Sequence, residues 1–235
     1  VPSPASASPY PIVVLASGRG TNLRALLDAI DAGRCAARIV GVVSDRSKAD
    51  ALSFSRDRGL ATAVVSPRSH PDRAAWDRAL AAAVGELAPE LVVLAGFMRL
   101  VGTAFLARFG GRTINVHPSL LPAFPGLDAP TQAVAAGARW SGCTVHLVDD
   151  GIDTGPILAQ AAVPVLPGDD GARLHHRIQR AEHRLLPAVV EAIARGDRSR
   201  SLRGRLDDAS TGARDGADRD AKQDPDLWLP GPPLP

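Results

Sequence analysis

Asn115 and His117 stand two residues apart in Ile114-Asn115-Val116-His117-Pro118-Ser119-Leu120-Leu121-Pro122. Extended backbone alternates its side chains between faces, so a carboxamide and an imidazole project to the same side at the end of a strand. Pro118 ends the run, because it cannot donate to a sheet ladder and restrains the residue before it. Such a pair can stabilise an oxyanion and exchange a proton. A lone histidine at a turn is more often merely solvated. What raises the odds here is the loop Asp149-Asp150-Gly151-Ile152-Asp153-Thr154-Gly155-Pro156. A carboxylate beside His117 would favour its protonated form and fix its orientation. Asp153 is the proposed third member, with Asp149 and Asp150 as rivals that residue chemistry alone does not eliminate. The spacing departs from the calcium-loop pattern, so no metal is expected.

A second chemical signal lies near the start. Ser17-Gly18-Arg19-Gly20-Thr21-Asn22 follows an all-apolar run and precedes Leu23, Leu26, Leu27 and Ile30 at helical spacing. Strand, glycine-rich turn and helix start together make an anion cradle, where glycines admit close approach and free N–H groups face the ligand. The turn lacks the lysine of a P-loop and the third glycine of a dinucleotide fingerprint. Its plainer reading is a tight strand-to-helix turn.

These residues need a scaffold, and the hydrophobic pattern supplies one. Short apolar runs at 12–16, 39–43, 63–65 and 91–95 read as buried parallel strands. Helical stretches alternate with them: 23–33, 49–58, and 72–87 with Trp76, Leu80 and Val84 on one face. Gly96-Phe97-Met98-Arg99-Leu100 then falls at the carboxyl edge of the sheet, where ligands of open α/β sheets bind. Further on come a short helix (103–109), the strand 113–116, a helix from 129 or 130 to 136, and strands at 144–148 and 157–165. A long helix from Asp169 to Ala194 follows, with Pro187 as an expected kink. The alternation predicts an α/β fold: a single open, mainly parallel twisted sheet flanked by helices.

The remaining histidines read more plainly. His146 lies among apolar strand residues and is expected to be a packed core histidine. His175, His176 and His183 lie on the long helix without zinc spacing, and His70 is placed as a cap at a helix start. Arg73 is by default a surface arginine, although its helix start could face the ligand edge.

Composition sets the outer bounds. Hydrophobic residues make up 45% and charged residues 22% of 235 residues, with a net charge of +2. That is ordinary globular composition and gives no reason to expect nucleic acid. No apolar run is long enough to span a bilayer, and residues 1–11 lack the marks of a signal peptide. The two cysteines, Cys35 and Cys143, fit a reduced cytoplasmic protein. Residues 1–11 are therefore expected to be a flexible lead-in and 12–196 one catalytic domain. From 197 to 235 the chain carries 7 basic and 8 acidic residues and few apolar ones. This tail is expected to be disordered, with Leu227-Trp228-Leu229 as a candidate anchor.

Four segments in order resemble the phosphoribosylglycinamide formyltransferase family of folate-dependent transformylases: 14–22, 92–99, 115–122 and 151–157. The resemblance spans residues 11 to 196. It implies that Asn115, His117 and Asp153 are the catalytic trio, which decides among the three loop acids. Gly20, Thr21 and Asn22 would hold the substrate phosphate, and Gln179 and Glu182 would contact glycinamide ribonucleotide. Phe97, Met98, Arg99 and Leu100 would line the pocket for 10-formyltetrahydrofolate, with Asn115, Asp149 and Asp150 at the pterin and Arg73 at a further folate-side position. It implies small-molecule substrates, a monomer or homodimer, and no nucleic acid, membrane or metal. Asp128-Ala129-Pro130 and the charged tail depart from the family pattern.

Three rivals bear comparison. Formyltetrahydrofolate deformylase shares the trio but uses water as acceptor. Its members usually begin with a regulatory domain, whereas the first strand here begins at Ile12. The proline after His117 and the anion-cradle turn also favour the transferase. Methionyl-tRNA formyltransferase would need a folded RNA-binding domain that the tail composition does not support. A non-catalytic nucleotide-binding module would leave the Asn/His/Asp match a coincidence.

Overall fold

The apolar runs pair into one sheet because each is too hydrophobic to leave either face in water. The computed structural model describes residues 9–196 and 227–228. Its elements in order are β1 (Tyr10–Leu15), α1 (Thr21–Asp31), β2 (Ala37–Ser44), α2 (Asp50–Asp57), β3 (Thr62–Val64), α3 (Arg73–Glu86), β4 (Leu91–Leu94), α4 (Thr103–Phe109), β5 (Thr113–His117), α5 (Ala129–Ala135), β6 (Trp140–Leu147), β7 (Ile157–Pro164), α6 (Gly171–Arg195) and β8 (Leu227–Trp228). The strand order is β3-β2-β1-β4-β5-β6-β7-β8. The first five strands run parallel, and β6, β7 and β8 alternate in direction. The expected open, mainly parallel sheet is thus present.

Alternation along the strands sorts two cores. Ile12, Val14, Val93, Ile114 and Val145 pack on the face covered by α1, α2, α5 and α6. Val13, Leu15, Val43 and Val92 pack on the other, against Trp76, Leu80 and Val84 of α3 and Phe105 and Phe109 of α4. Burial of these aliphatic side chains supplies the main driving force, about 25 cal/mol per Å² of apolar surface. Asp77, buried in α3, accepts hydrogen bonds from the N–H groups of Gly102, Ala104 and Phe105. A side chain of one helix therefore caps the start of the next.

The chain steps outward from β1 through β2 to β3, then returns to lay β4 on the other side of β1. The order of strand addition thus reverses between β1 and β4, and α/β sheets bind ligands at the carboxyl ends of such a pair. Beyond α4, Asn115 and His117 of β5 point away from Ile114 and Val116, and the irregular segments 118–128 and 148–156 cover them.

Several local expectations needed adjustment. β6 begins at Trp140, earlier than its alternating stretch indicated. The long helix begins at Gly171, with Asp170 as its N-cap, and Pro187 lies inside it. His70 does not cap α3: Asp72 does, accepting from Ala75 N, while His70 Nδ1 bonds the carbonyl of Ser66. Leu227 and Trp228 pair with Ala161 and Gln160 of β7. Leu229, residues 1–8 of the lead-in and the rest of the tail lie outside the described residues. Among the described residues no helix is long and apolar enough to cross a membrane.

Candidate active site

β5 ends with Asn115 and His117 on one face, as the alternation requires. β6 pairs antiparallel to it in a register that sets His146 opposite Asn115 and Thr144 opposite His117. The 148–156 loop then folds back so that Asp153 meets all three polar groups. Its Oδ2 lies 3.2 Å from Nδ1 of His117, and its Oδ1 lies 3.5 Å from Nε2 of His146 and 3.4 Å from Nδ2 of Asn115. Asp153 adopts a positive φ of 55°, and its Oδ2 also accepts from Gly126 N at 2.8 Å. Of the three acids in this loop, Asp153 alone reaches the imidazole of His117.

The hydrogen-bond partners show which ring nitrogens face acceptors. Nδ1 of His117 faces a carboxylate, and its Nε2 lies 2.9 Å from the carbonyl of Phe124. Both partners only accept, so the two bonds coexist when the ring carries a proton on each nitrogen. His146 sits across the cluster. Its Nδ1 lies 2.9 Å from the carbonyl of Leu147 and donates to it, while its Nε2 lies 3.2 Å from Asn115 Nδ2 and 3.5 Å from Asp153 Oδ1. Burial pushes the Asp153 carboxyl up. Hydrogen bonding with His146 and Gly126 and the charge of His117 outweigh burial and hold it below the usual carboxylate value. The cluster therefore brings two imidazoles and one carboxylate around the Asn115 amide.

His146 is the residue that reading the sequence misplaced. It is buried, as expected of a core histidine, with 2% of its surface exposed, yet its polar edge turns to Asp153 and Asn115. The available signal was Thr144-x-His146, which alternates as Asn115-x-His117 does. Only the antiparallel register joins the two pairs. Phe124 O and Gly126 N–H, backbone groups of an irregular loop, carried no side-chain signal at all. Leu121-Pro122 within that loop is cis. Thr144 Oγ1 donates to Ser119 O and accepts from Leu121 N, and Gln160 Nε2 donates to Leu121 O.

The glycine-rich turn follows the end of β1, at the same carboxyl edge of the sheet as the end of β5. Gly20 has φ 71°, and a Cβ there would sit 2.9 Å from the Cβ of Ala51, so glycine is required on both counts. No side chain caps the first turn of α1. Asn22 of that turn donates from Nδ2 to Glu182 Oε2 at 2.9 Å, uniting two residues assigned to the same substrate. Burial raises the Glu182 carboxyl to about 7, against the opposing pull of Asn22. Gln179, one turn earlier on α6, is half-buried.

The segment after β4 is held from both sides. Met98 N–H donates to Ser17 Oγ, and Arg73 reaches from the start of α3 to the carbonyl of Leu100. Phe97 is buried and stacks on Trp76, with ring centroids 6.5 Å apart, whereas Met98 and Leu100 are exposed. Arg99 donates from Nε to Asp45 Oδ2 at 3.0 Å. Asp149 accepts from Thr154 Oγ1 and Gly151 N, which shapes the loop, and Asp150 is exposed. Asp128 starts α5 with φ 56° and accepts from Thr131 Oγ1, so this departure from the family pattern forms a local helix start. Groups of three or more metal-ligating side chains do not occur among the described residues.

A sequence model of the formyl transferase family matches residues 10–190. The chain belongs to the formyl transferase family. Within it, the chain is 52% identical over 187 residues to a phosphoribosylglycinamide formyltransferase of Mycobacterium tuberculosis strain H37Rv, covering 80% of this chain and 86% of that protein. It is 40% identical over 185 residues to the phosphoribosylglycinamide formyltransferase of Escherichia coli strain K12, covering 79% and 87%. The crystal structure of glycinamide ribonucleotide transformylase 1 from Symbiobacterium toebii superposes with a TM-score of 0.77 at 47% identity, covering 79% of this chain and 87% of that one. The matched span of this formyl transferase contains every candidate catalytic and substrate-binding residue named above.

Proposed function

We propose that the chain transfers the formyl group of 10-formyltetrahydrofolate to the primary amine of glycinamide ribonucleotide in purine biosynthesis. The observation that carries this is the meeting of Asn115, His117 and Asp153 at the carboxyl edge that also bears the glycine-rich turn, within a family of formyl transferases. Gly20, Thr21 and Asn22 hold the substrate phosphate at the start of α1, and Gln179 and Glu182 take the remainder of the ribonucleotide. Phe97, Met98, Arg99 and Leu100, with Arg73, Asp149 and Asp150, form the folate side. Residues 12–196 make up the catalytic domain, acting in the cytoplasm on small molecules, as a monomer or homodimer.

The chemistry follows from the charges. The amine nitrogen bonds to the formyl carbon, and the carbonyl oxygen becomes an oxyanion. The Asn115 amide and the His117 imidazolium donate to that oxygen, and the Phe124 carbonyl gives up its hydrogen bond from His117 as it develops. Asp153 keeps the imidazole charged and oriented. The attacking amine loses a proton, N10 of the folate gains one, and cleavage of the bond from the formyl carbon to N10 releases tetrahydrofolate and the formylated amide. Preorganised donors of this kind contribute roughly 10²–10³ in rate each.

Incubation with 10-formyltetrahydrofolate, with and without glycinamide ribonucleotide, tests the reading. Tetrahydrofolate released only when the amine is present supports transfer. Release without the amine identifies a hydrolase, and no release in either tube refutes catalysis on this donor.

A further inference from the structure

Asp45 follows directly after β2, at the carboxyl edge of the sheet, with its side chain fully buried. Its Oδ2 accepts from Arg99 Nε at 3.0 Å, with Arg46 Nε farther off at 3.8 Å, and its buried Oδ1 has no hydrogen-bond partner. A buried carboxylate is costly unless it is well paired, and half of this one is not. A neutral side chain would serve the fold more cheaply. Arg99 in turn engages Asp45 through Nε, and among the described residues its two terminal nitrogens have no hydrogen-bond partner. Its side chain is 47% exposed. A guanidinium held at Nε is fixed in plane and direction while its outer edge stays free to grip an acceptor.

We infer that Asp45 is a positioning residue for donor binding: it aims Arg99 into the folate side of the site. The assignment rests on the reading of Arg99 given above. Asp45 is too deeply buried to touch a substrate, so it acts through the arginine alone. Without it, the long Arg99 side chain regains its rotamers and must lose them again on binding, which weakens donor affinity without altering the formyl-transfer step.

Steady-state kinetics of the purified full chain with both substrates test this, using Asp45→Ala, Asp45→Asn, Arg99→Ala and the Asp45→Ala/Arg99→Ala double variant. Asp45→Ala is expected to raise KM for 10-formyltetrahydrofolate about tenfold, with kcat and KM for the ribonucleotide within about twofold of the parent. Asp45→Asn, which keeps an acceptor for Nε, restores part of the loss. In the Arg99→Ala background the Asp45 substitution adds no further rise in KM. Unchanged donor KM in Asp45→Ala, or a rise in both KM values together, overturns the inference and makes Asp45 a purely structural acid. So does an equal additional rise in the double variant. If Arg99→Ala itself leaves donor KM unchanged, the folate-side placement of Arg99 fails, a result separate from any effect of Asp45. Should Asp45→Ala be recovered in poor yield, Asp45→Asn alone decides: an intermediate donor KM supports the inference, and parental kinetics refute it.

Discussion

The carboxylate of Asp153 lies 3.2 Å from Nδ1 of His117, from a loop that reaches β5 only after the chain has passed through α5 and β6. The contact ties the loop acid to the imidazole at the end of β5. His117 faces two acceptors, Asp153 and the Phe124 carbonyl, and His146 donates to the Leu147 carbonyl while its other nitrogen faces Asn115 and Asp153.

Replacing Asp153 by Asn should remove the anion while keeping the shape. kcat should fall by roughly 10² or more, as it does on loss of a preorganised donor, with both KM values changed only a few-fold. Stability carries the same signature. The folded carboxyl titrates below its ordinary value of 3.8, so its contribution is present above that value and is lost as the pH falls through the lowered one. Urea melts across the acid range should show a shallower acid loss in Asp153→Asn than in the parent. Equal slopes would remove Asp153 from the pairing.

His146→Ala should separate holding from reacting. The ring lies 3.2 Å from the amide nitrogen of Asn115, so its loss frees that amide to rotate. We expect kcat to fall about tenfold with KM nearly unchanged, and His146→Gln to recover part of the activity. Full activity in His146→Ala would return this residue to the role of core filler.

The contrast between these two residues shows what the chain discloses on its own. The strands are visible because Val- and Leu-rich runs have no alternative to a doubly covered sheet, and Asn115-x-His117 is visible because the strand period is two. Asp153 was one of three acids by chemistry alone, and the resemblance to a family chose it before coordinates brought it to His117. His146 was hidden because its neighbours Val145 and Leu147 are those of a buried strand. Its polar role depends on the register of a pairing that no local pattern encodes. Asp45 was hidden likewise: an acid after a strand reads as a turn residue until Arg99 is seen beside it.

Asp77→Ala tests the scaffold under the folate side. Three N–H groups of the 102–105 turn lose their acceptor at once, and helix caps of this kind are each worth about 1 kcal/mol. The variant should unfold about 2 kcal/mol more easily in urea, since water can satisfy the more exposed N–H of Gly102. The same turn follows Met98, Arg99 and Leu100, so donor KM should rise as well, unlike the ribonucleotide KM. A stable variant would show that α4 does not depend on this cap.

Glu182 is the most pH-sensitive element of the ribonucleotide side. Burial raises its carboxyl from 4.5 to about 7, so the folded protein binds a proton that the unfolded chain releases between those values. The stabilisation is complete below about 4.5 and is lost as the pH rises through 7, a change on the order of 3 kcal/mol at most. Glu182→Gln abolishes that slope, so the parent's stability should decline relative to the variant across the window. A substrate donating hydrogen bonds to Glu182 favours the ionised form and must expel the proton. Calorimetric titration of glycinamide ribonucleotide near neutral pH, in buffers of different ionisation enthalpy, should therefore report net proton release by the parent and none through this group in Glu182→Gln. Identical proton counts in the two proteins would mean that the ribonucleotide does not meet Glu182, and would shift the substrate assignment toward Thr21 and Gln179 alone.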